Sequence, residues 1–252
     1  MFQTPRRIAV LIPASDPIVE YDFHLFLPKG ISVHAGRLPQ AAQAKTASFE
    51  SLSGMTDAAP TIAKTMAQVD PELICFCCTS ASFFKGYGWD KTLSKSITDA
   101  TGIPAITTSG SVAEALNAIG ARTAFMVTPY GDEINKIERD FFKGNGVEIA
   151  SHTTFYCANS RDIDKVTPDQ IIARVREHKK EIEPCDAIFI SCTALRSMEA
   201  IETLEAEFKK PVITSNASTV WLALQRLGID GSDVKAGRLF KVKAGSKARA
   251  AE

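Results

Sequence analysis

The sequence predicts a parallel α/β fold made of two pseudo-symmetric halves with a cleft between them, and three observations predict it. Short apolar runs alternate with segments of helical length and pattern. The runs are apolar throughout instead of alternating with polar residues, as strands covered by helices on both faces are. The same phrases also recur, in the same order, in the two halves of the chain.

The strand-like runs are Ile8–Ile12, Leu73–Cys77, Ala105–Thr107, Thr123–Thr128, Ala187–Ser191 and Val212–Thr214. Between them the pattern predicts helices over Asp90–Ala100, Val112–Ala118, Asp132–Phe142, Asp169–Lys180, Ser197–Phe208 and Thr219–Leu227. Three pairs of segments carry the repeat. Arg7–Pro13 (RIAVLIP) resembles Arg122–Pro129 (RTAFMVTP), and the run ending Cys78-Thr79 resembles the run ending Cys192-Thr193. Pro104–Thr108 (PAITT) pairs with Pro211–Ser215 (PVITS), each followed by a helix that stops at Gly120 or Gly228. The expected division is residues 1–110 plus about 217–240 for the first half and 111–216 for the second. Residues 241–252, rich in Lys and Ala, are expected to be a disordered tail.

A chain of 252 residues, 45% hydrophobic and 23% charged, can bury a sizeable core. Lys+Arg and Asp+Glu both total 29, so the zero net charge gives no reason to expect nucleic acid or an anionic membrane as partner. Ile8–Ile12 is too short to span a bilayer and no secretory pattern precedes it; a cytoplasmic protein is expected. Six cysteines, three of them crowded into Cys75–Cys78, look unlike a spaced disulfide framework and are expected to be reduced.

In open parallel sheets, ligands bind beyond the carboxyl ends of the strands. Cys78 and Cys192 fall there, each followed by threonine and small residues whose N–H and hydroxyl groups suit a carboxylate and would lower a thiol's pKa. A thiolate is a nucleophile and a base. Duplication would place the two sulfurs on opposite faces of one bound molecule. Cys75 and Cys77 share one face of the strand and read as core, as do Cys157 and Cys185, which lack a repeated partner. Metal-ligand spacing is absent, as are Gly-x-Ser-x-Gly and the glycine-rich phosphate loops. The dispersed His24, His34, His152 and His178 read as surface or capping groups. Pro13-Ala14-Ser15-Asp16, Thr128-Pro129-Tyr130 and Thr214-Ser215-Asn216 also lie at strand ends. Turn and capping chemistry accounts for them as well as ligand binding does, although a phenol such as Tyr130 can donate to an oxyanion.

Nearly the whole chain resembles the aspartate/glutamate racemase superfamily, and within it the maleate isomerase and arylmalonate decarboxylase branch. The resemblance lies in Cys78–Gly86 (CTSASFFKG), Thr101–Pro104 (TGIP), Thr128-Pro129-Tyr130, Ile190-Ser191-Cys192 and Ala236–Phe240 (AGRLF). It implies cofactor-independent catalysis between two halves, with a catalytic cysteine from each, here Cys78 and Cys192. It implies substrate contacts from Pro13, Ser15, Asp16, Thr79, Ser80, Tyr130, Asn159 and Thr193. Maleate isomerases carry asparagine where this chain has Asp16, and an ionised aspartate repels a substrate carboxylate. In arylmalonate decarboxylases the first cysteine is a glycine, so Cys78 argues against a strict decarboxylase.

The expected function is therefore isomerisation of a small carboxylic or dicarboxylic acid by two opposed cysteines, as in maleate cis-trans isomerases. Alternatives are an Asp/Glu-type amino-acid racemase, an arylmalonate-type decarboxylase, for which Phe83, Phe84 and Trp89 offer an apolar pocket but fit the core equally well, and a non-catalytic binding protein for small acids. Small carboxylates or dicarboxylates are the expected partners, with no nucleic acid or membrane and a homo-oligomer left open, and neither cofactor nor metal is expected.

Overall fold

The computed structural model describes residues 4–40 and 45–244. In chain order β1 (Arg6–Pro13), α1 (Ile18–Phe26), β2 (Ile31–Leu38), α2 (Phe49–Met66), β3 (Leu73–Phe76), α3 (Thr79–Phe83), α4 (Trp89–Thr101), β4 (Ala105–Thr107) and α5 (Thr108–Ala118) come first. They are followed by β5 (Thr123–Thr128), α6 (Asp132–Gly144), β6 (Glu148–Thr154), α7 (Pro168–Arg176), α8 (Lys179–Ile182), β7 (Ala187–Ile190), α9 (Ile201–Phe208), β8 (Val212–Thr214) and α10 (Ser215–Arg226).

Among the described residues the strands form two four-stranded sheets, ordered β2-β1-β3-β4 and β6-β5-β7-β8. All their pairings are parallel. The two orders are the same once the strands are renumbered, so the repeat read from the sequence is a repeat of topology. In each sheet the apolar runs supply the central pair, and Ile8–Ile12 and Ala187–Ile190 are fully buried. Covering such strands on both faces is what their unbroken hydrophobicity requires.

The two strands that the apolar runs do not reveal are β2 and β6, the equivalent edges of the two sheets. Each carries polar side chains among half-buried ones, Ser32, His34 and Arg37 in β2 and Glu148, Ser151 and His152 in β6. Helices α5 and α10 start four residues earlier than their apolar period suggests. Thr107 and Thr214, the last residues of β4 and β8, accept from Gly110 N and Ala217 N and so cap the helices directly from the strand. The predicted helix over 169–180 is broken after Arg176 and resumes at Lys179.

Helices α5 and α10 pack against each other between the halves. At their contact Thr219 Oγ1 donates to Thr108 Oγ1 at 3.1 Å. Helix α10 also packs on α1, β3 and β4. Both helices end at glycines of positive φ, Gly120 (78°) and Gly228 (65°), as the sequence predicts. Of the expected tail, residues 245–252 lie outside the described residues. Its first part is tied down, because the Val242 carbonyl accepts from Trp221 Nε1 and Ala244 N donates to Gln225 Oε1. Among the described residues no helix is long and apolar enough to cross a membrane.

Candidate active site

With every strand parallel, the carboxyl ends of β1, β3, β5 and β7 carry the loops that meet between the halves. There they enclose a cavity of about 40 Å³ lined by Pro13, Ser15 and Asp16 after β1, Cys78, Thr79 and Ser80 after β3, Tyr130 after β5, and Cys192, Thr193 and Ala194 after β7. Gln40, Thr46, Ala47, Ser51, Leu52, Met55, Ser160 and Ile163 complete the lining. The two cysteines thus come from equivalent strand ends to one small space. Among the described lining residues there is no lysine, arginine or histidine. An anionic ligand must be held there by neutral donors.

Cys78 is the residue before α3, with φ −148° and ψ 111°. Its carbonyl accepts from Ser82 N and Ser82 Oγ, and its sulfur lies 3.8 Å from Ser80 Oγ. The local backbone at Cys192 is not a copy of this one. Its φ is +95°, a region costing about 1–3 kcal/mol for a residue with a side chain. The Cys192 N–H donates to Ser215 Oγ at 3.0 Å, which holds that conformation. The same Ser215 oxygen accepts from Thr79 Oγ1 at 2.8 Å, so one hydroxyl joins the two cysteine loops.

Of the two readings the sequence left open for Thr214-Ser215-Asn216, capping chemistry is the one formed: Thr214 caps α10, and Ser215 and Asn216 make its first turn, outside the cavity lining. Asn216 Nδ2 donates to the Thr193 carbonyl at 2.8 Å and to Asp22 Oδ2 at 2.7 Å, fixing the loop after Cys192 from below. Thr79 lines the cavity, but its hydroxyl is committed to Ser215. Asn159 does not line it. Its side chain donates to Asp162 Oδ2 and its backbone bridges Lys45, so the neighbouring Ser160 reaches the cavity instead. Phe83, Phe84 and Trp89 are likewise absent from the lining. Phe83 packs against Tyr130 and Phe141, and Phe84 against Trp89. The apolar pocket expected of a decarboxylase is therefore not formed by these rings, which belong to the core.

Sequence reading missed Thr46, Ser51 and Gln40. They lie in and beside the polar connection between β2 and α2, which carries no motif. Gln40 bridges the halves, its Oε1 accepting from Ser15 Oγ and its Nε2 donating to Ser160 Oγ. Thr46 Oγ1 and Ser51 Oγ, together with Asp16 Oδ2 and Tyr130 Oη, are buried without a hydrogen-bond partner. All four residues line the cavity. Leaving such an atom unpaired costs about 1–3 kcal/mol, a deficit that a bound polar molecule removes.

Burial dominates the electrostatics. The Cys78 thiol is pushed up to about 11 by burial, against the lowering effect of the Ala81 N–H and Ser80 Oγ. Cys192 is pushed higher still by burial and by Asp16, against Ala194 N–H and the nearby Tyr130 hydroxyl. The surrounding donors do act in the direction the sequence suggests, but desolvation outweighs them, and both groups are thiols at neutral pH. Asp16 is also raised by burial, opposed by the Ile18 and Val19 N–H groups, by Thr193 and by Arg37. Behind Cys192, Ser191 Oγ donates at 2.5 Å to Glu138, a fully buried carboxyl pushed up to about 8 by burial.

Fold and cavity together define a pseudo-two-fold α/β protein with one cysteine from each half facing a shared pocket whose described lining residues include no cation. The arylmalonate decarboxylase family model matches residues 10–240, and the chain belongs to that family. The chain is 25% identical over 246 residues to a maleate isomerase of Nocardia farcinica, covering 94% of this chain and 96% of that one. To an arylmalonate decarboxylase of Bordetella bronchiseptica it is 26% identical over 164 residues, covering 64% of this chain and 68% of that one. Among solved structures, a mutant of the Nocardia farcinica maleate cis-trans isomerase with a covalently bound succinylcysteine intermediate superposes with a TM-score of 0.86 at 22% identity. That match covers 93% of this chain and 98% of the other, and it carries the two-sheet fold.

Proposed function

We propose that the protein is a cofactor-independent isomerase of a small carboxylic acid, of the maleate cis-trans isomerase kind, with Cys78 and Cys192 as the catalytic residues. The observation that carries this reading is that Cys78 and Cys192, from equivalent strand ends of the two sheets, line one cavity. The relatives named maleate isomerase support the reaction class. The succinylcysteine of the Nocardia farcinica structure supports a covalent sulfur–carbon step.

Cys78, which directly precedes α3 and whose sulfur lies 3.8 Å from Ser80 Oγ, is assigned as the nucleophile once deprotonated. Its sulfur adds to one alkene carbon. The π electrons move to the neighbouring carbon and into its carboxylate, and the Cys192 thiol protonates that carbon. The former double bond turns as a single bond. Cys192 then removes that carbon's other hydrogen as a proton, so the delivered one stays; the alkene reforms as the trans isomer, and the C–S electron pair leaves with Cys78. Ser80, the Tyr130 phenol and the N–H groups after each cysteine serve the enediolate charge through neutral dipoles held in place before reaction.

Incubation of the protein with maleate and related cis-alkenoic acids in D2O tests this reading. It predicts formation of the trans isomer and deuterium at one vinylic carbon of recovered material. Neither product nor label with any such acid would remove the isomerase reading.

A further inference from the structure

The polar groups around the cavity do not share the symmetry of its walls. Pro13 of β1 corresponds to Pro129 after β5, and Cys78 corresponds to Cys192, so the segment ending at Asp16 faces the segment ending at Tyr130 from the opposite half. One presents a phenol without a partner, a donor. The other presents a carboxyl oxygen without a partner, at a residue only 2% exposed. Asp16 Oδ1 is already fixed as an acceptor by Ile18 N at 2.8 Å and Val19 N at 3.2 Å. Arg37 Nη1 donates to the Asp16 carbonyl at 2.7 Å, placing a cation beside the residue. Burial raises the Asp16 carboxyl and these contacts oppose that shift by favouring the charged form; in that form Oδ2 is left to accept.

From this asymmetry we infer that the substrate has unlike ends: a carboxylate held on the Tyr130 side, and at the other end a hydrogen-bond donor, of the carboxamide kind, given to Asp16 Oδ2. A symmetric dicarboxylate would set its second anion against Asp16 in a cavity whose described lining residues include no lysine, arginine or histidine. A half-amide instead supplies the missing donor with its NH2, while its carbonyl oxygen accepts from Thr46 Oγ1 or Ser51 Oγ, the other unpaired groups of the lining. Asp16 is thus assigned as the residue that selects monocarboxylic amides over diacids. This inference rests on the isomerase reading for its chemistry, but its test is one of binding.

Binding of maleamate and of maleate is measured by calorimetry on the intact protein, and on the isosteric Asp16→Asn variant, whose Oδ1 still accepts the two N–H bonds of α1. The native protein is expected to bind maleamate at least tenfold more tightly than maleate, and the variant to lose or reverse that preference. The native comparison stands even if the variant fails to fold. Tighter binding of maleate to the native protein would overturn the inference, by placing a proton on Asp16. An unchanged ratio in a folded variant would overturn it too, as would no binding of maleamate at millimolar concentration. Binding of maleamate without solvent label or isomerisation would leave the selectivity standing and remove the isomerase.

Discussion

Thr79 and Cys192 are joined through one atom: the Thr79 hydroxyl donates to Ser215 Oγ at 2.8 Å, and the Cys192 N–H donates to the same oxygen at 3.0 Å. A residue outside the cavity thereby fixes the spacing of the loops that carry the two sulfurs. Ser215→Ala leaves both donors without a partner and the positive φ of Cys192 unsupported. It is expected to lower stability by about 1–3 kcal/mol in urea unfolding. Turnover is expected to fall by tenfold or more through kcat with little change in KM, since the lining itself is untouched. Unchanged kcat in a folded Ser215→Ala protein would show that the link does not position Cys192.

The buried thiols predict a steep pH dependence of alkylation. With Cys78 pushed up to about 11, its thiolate fraction rises about tenfold per pH unit across the neutral range and levels only above about 11. The rate of iodoacetamide labelling at Cys78, followed by mass spectrometry, should follow that slope from pH 7 to 10. A plateau near pH 8 would mean that the cavity holds a stabilised thiolate.

Glu138 sets a second pH dependence, in stability. Burial raises its carboxyl from 4.5 to about 8 in the folded protein. Between those values the folded state keeps a proton that the unfolded chain has lost, so stability falls as pH rises through that window and is level on either side. Asp22, pushed up to about 7 chiefly by burial, acts in the same direction. Glu138→Gln is expected to flatten the decline measured by urea unfolding from pH 5 to 8, and to gain stability relative to the parent at pH 8. An equal slope in the two proteins would contradict this assignment.

Gly237 explains a piece of the sequence resemblance in structural terms. Its φ of 87° and ψ of −173° belong to a region open almost solely to glycine, and an added Cβ would stand 2.5 Å from Ile201 Cγ2. Gly237→Ala should destabilise the fold by about 2 kcal/mol or more while leaving kcat of the folded fraction intact. A neutral effect on thermal unfolding would show that the backbone there relaxes freely.

How much was legible follows from what each residue has to do. The central strands were readable because double-sided burial demands an unbroken apolar run, and β2 and β6 were hidden because each is an edge strand whose half-buried or exposed positions carry polar residues that interrupt such a run. That Cys78, Cys192, Asp16 and Tyr130 stand at strand ends around one cavity was readable because loops at the carboxyl ends of parallel strands converge there, and the repeat paired the two cysteines. Thr46, Ser51 and Gln40 were not, since a threonine, serine or glutamine in a polar connection looks the same whether it faces solvent or a cavity. Asn159 shows the reverse error: one residue of register separates it from Ser160, which reaches the site. The protonated state of the thiols was also beyond sequence, because donors can be read from residue types whereas complete desolvation cannot.

The central claim is that Cys78 and Cys192 divide one reaction between them, and single-cysteine variants test it most directly. Maleamate and maleate are each incubated in D2O with the parent, Cys78→Ser and Cys192→Ser, and the products are followed by proton NMR and the protein by intact mass. The parent should form trans product carrying deuterium at one vinylic carbon. Both variants should lose at least a thousandfold in turnover, with a covalent adduct of substrate mass accumulating on Cys192→Ser but not on Cys78→Ser. Substantial isomerisation by either variant, or an adduct on Cys192 in the Cys78→Ser protein, would contradict the account.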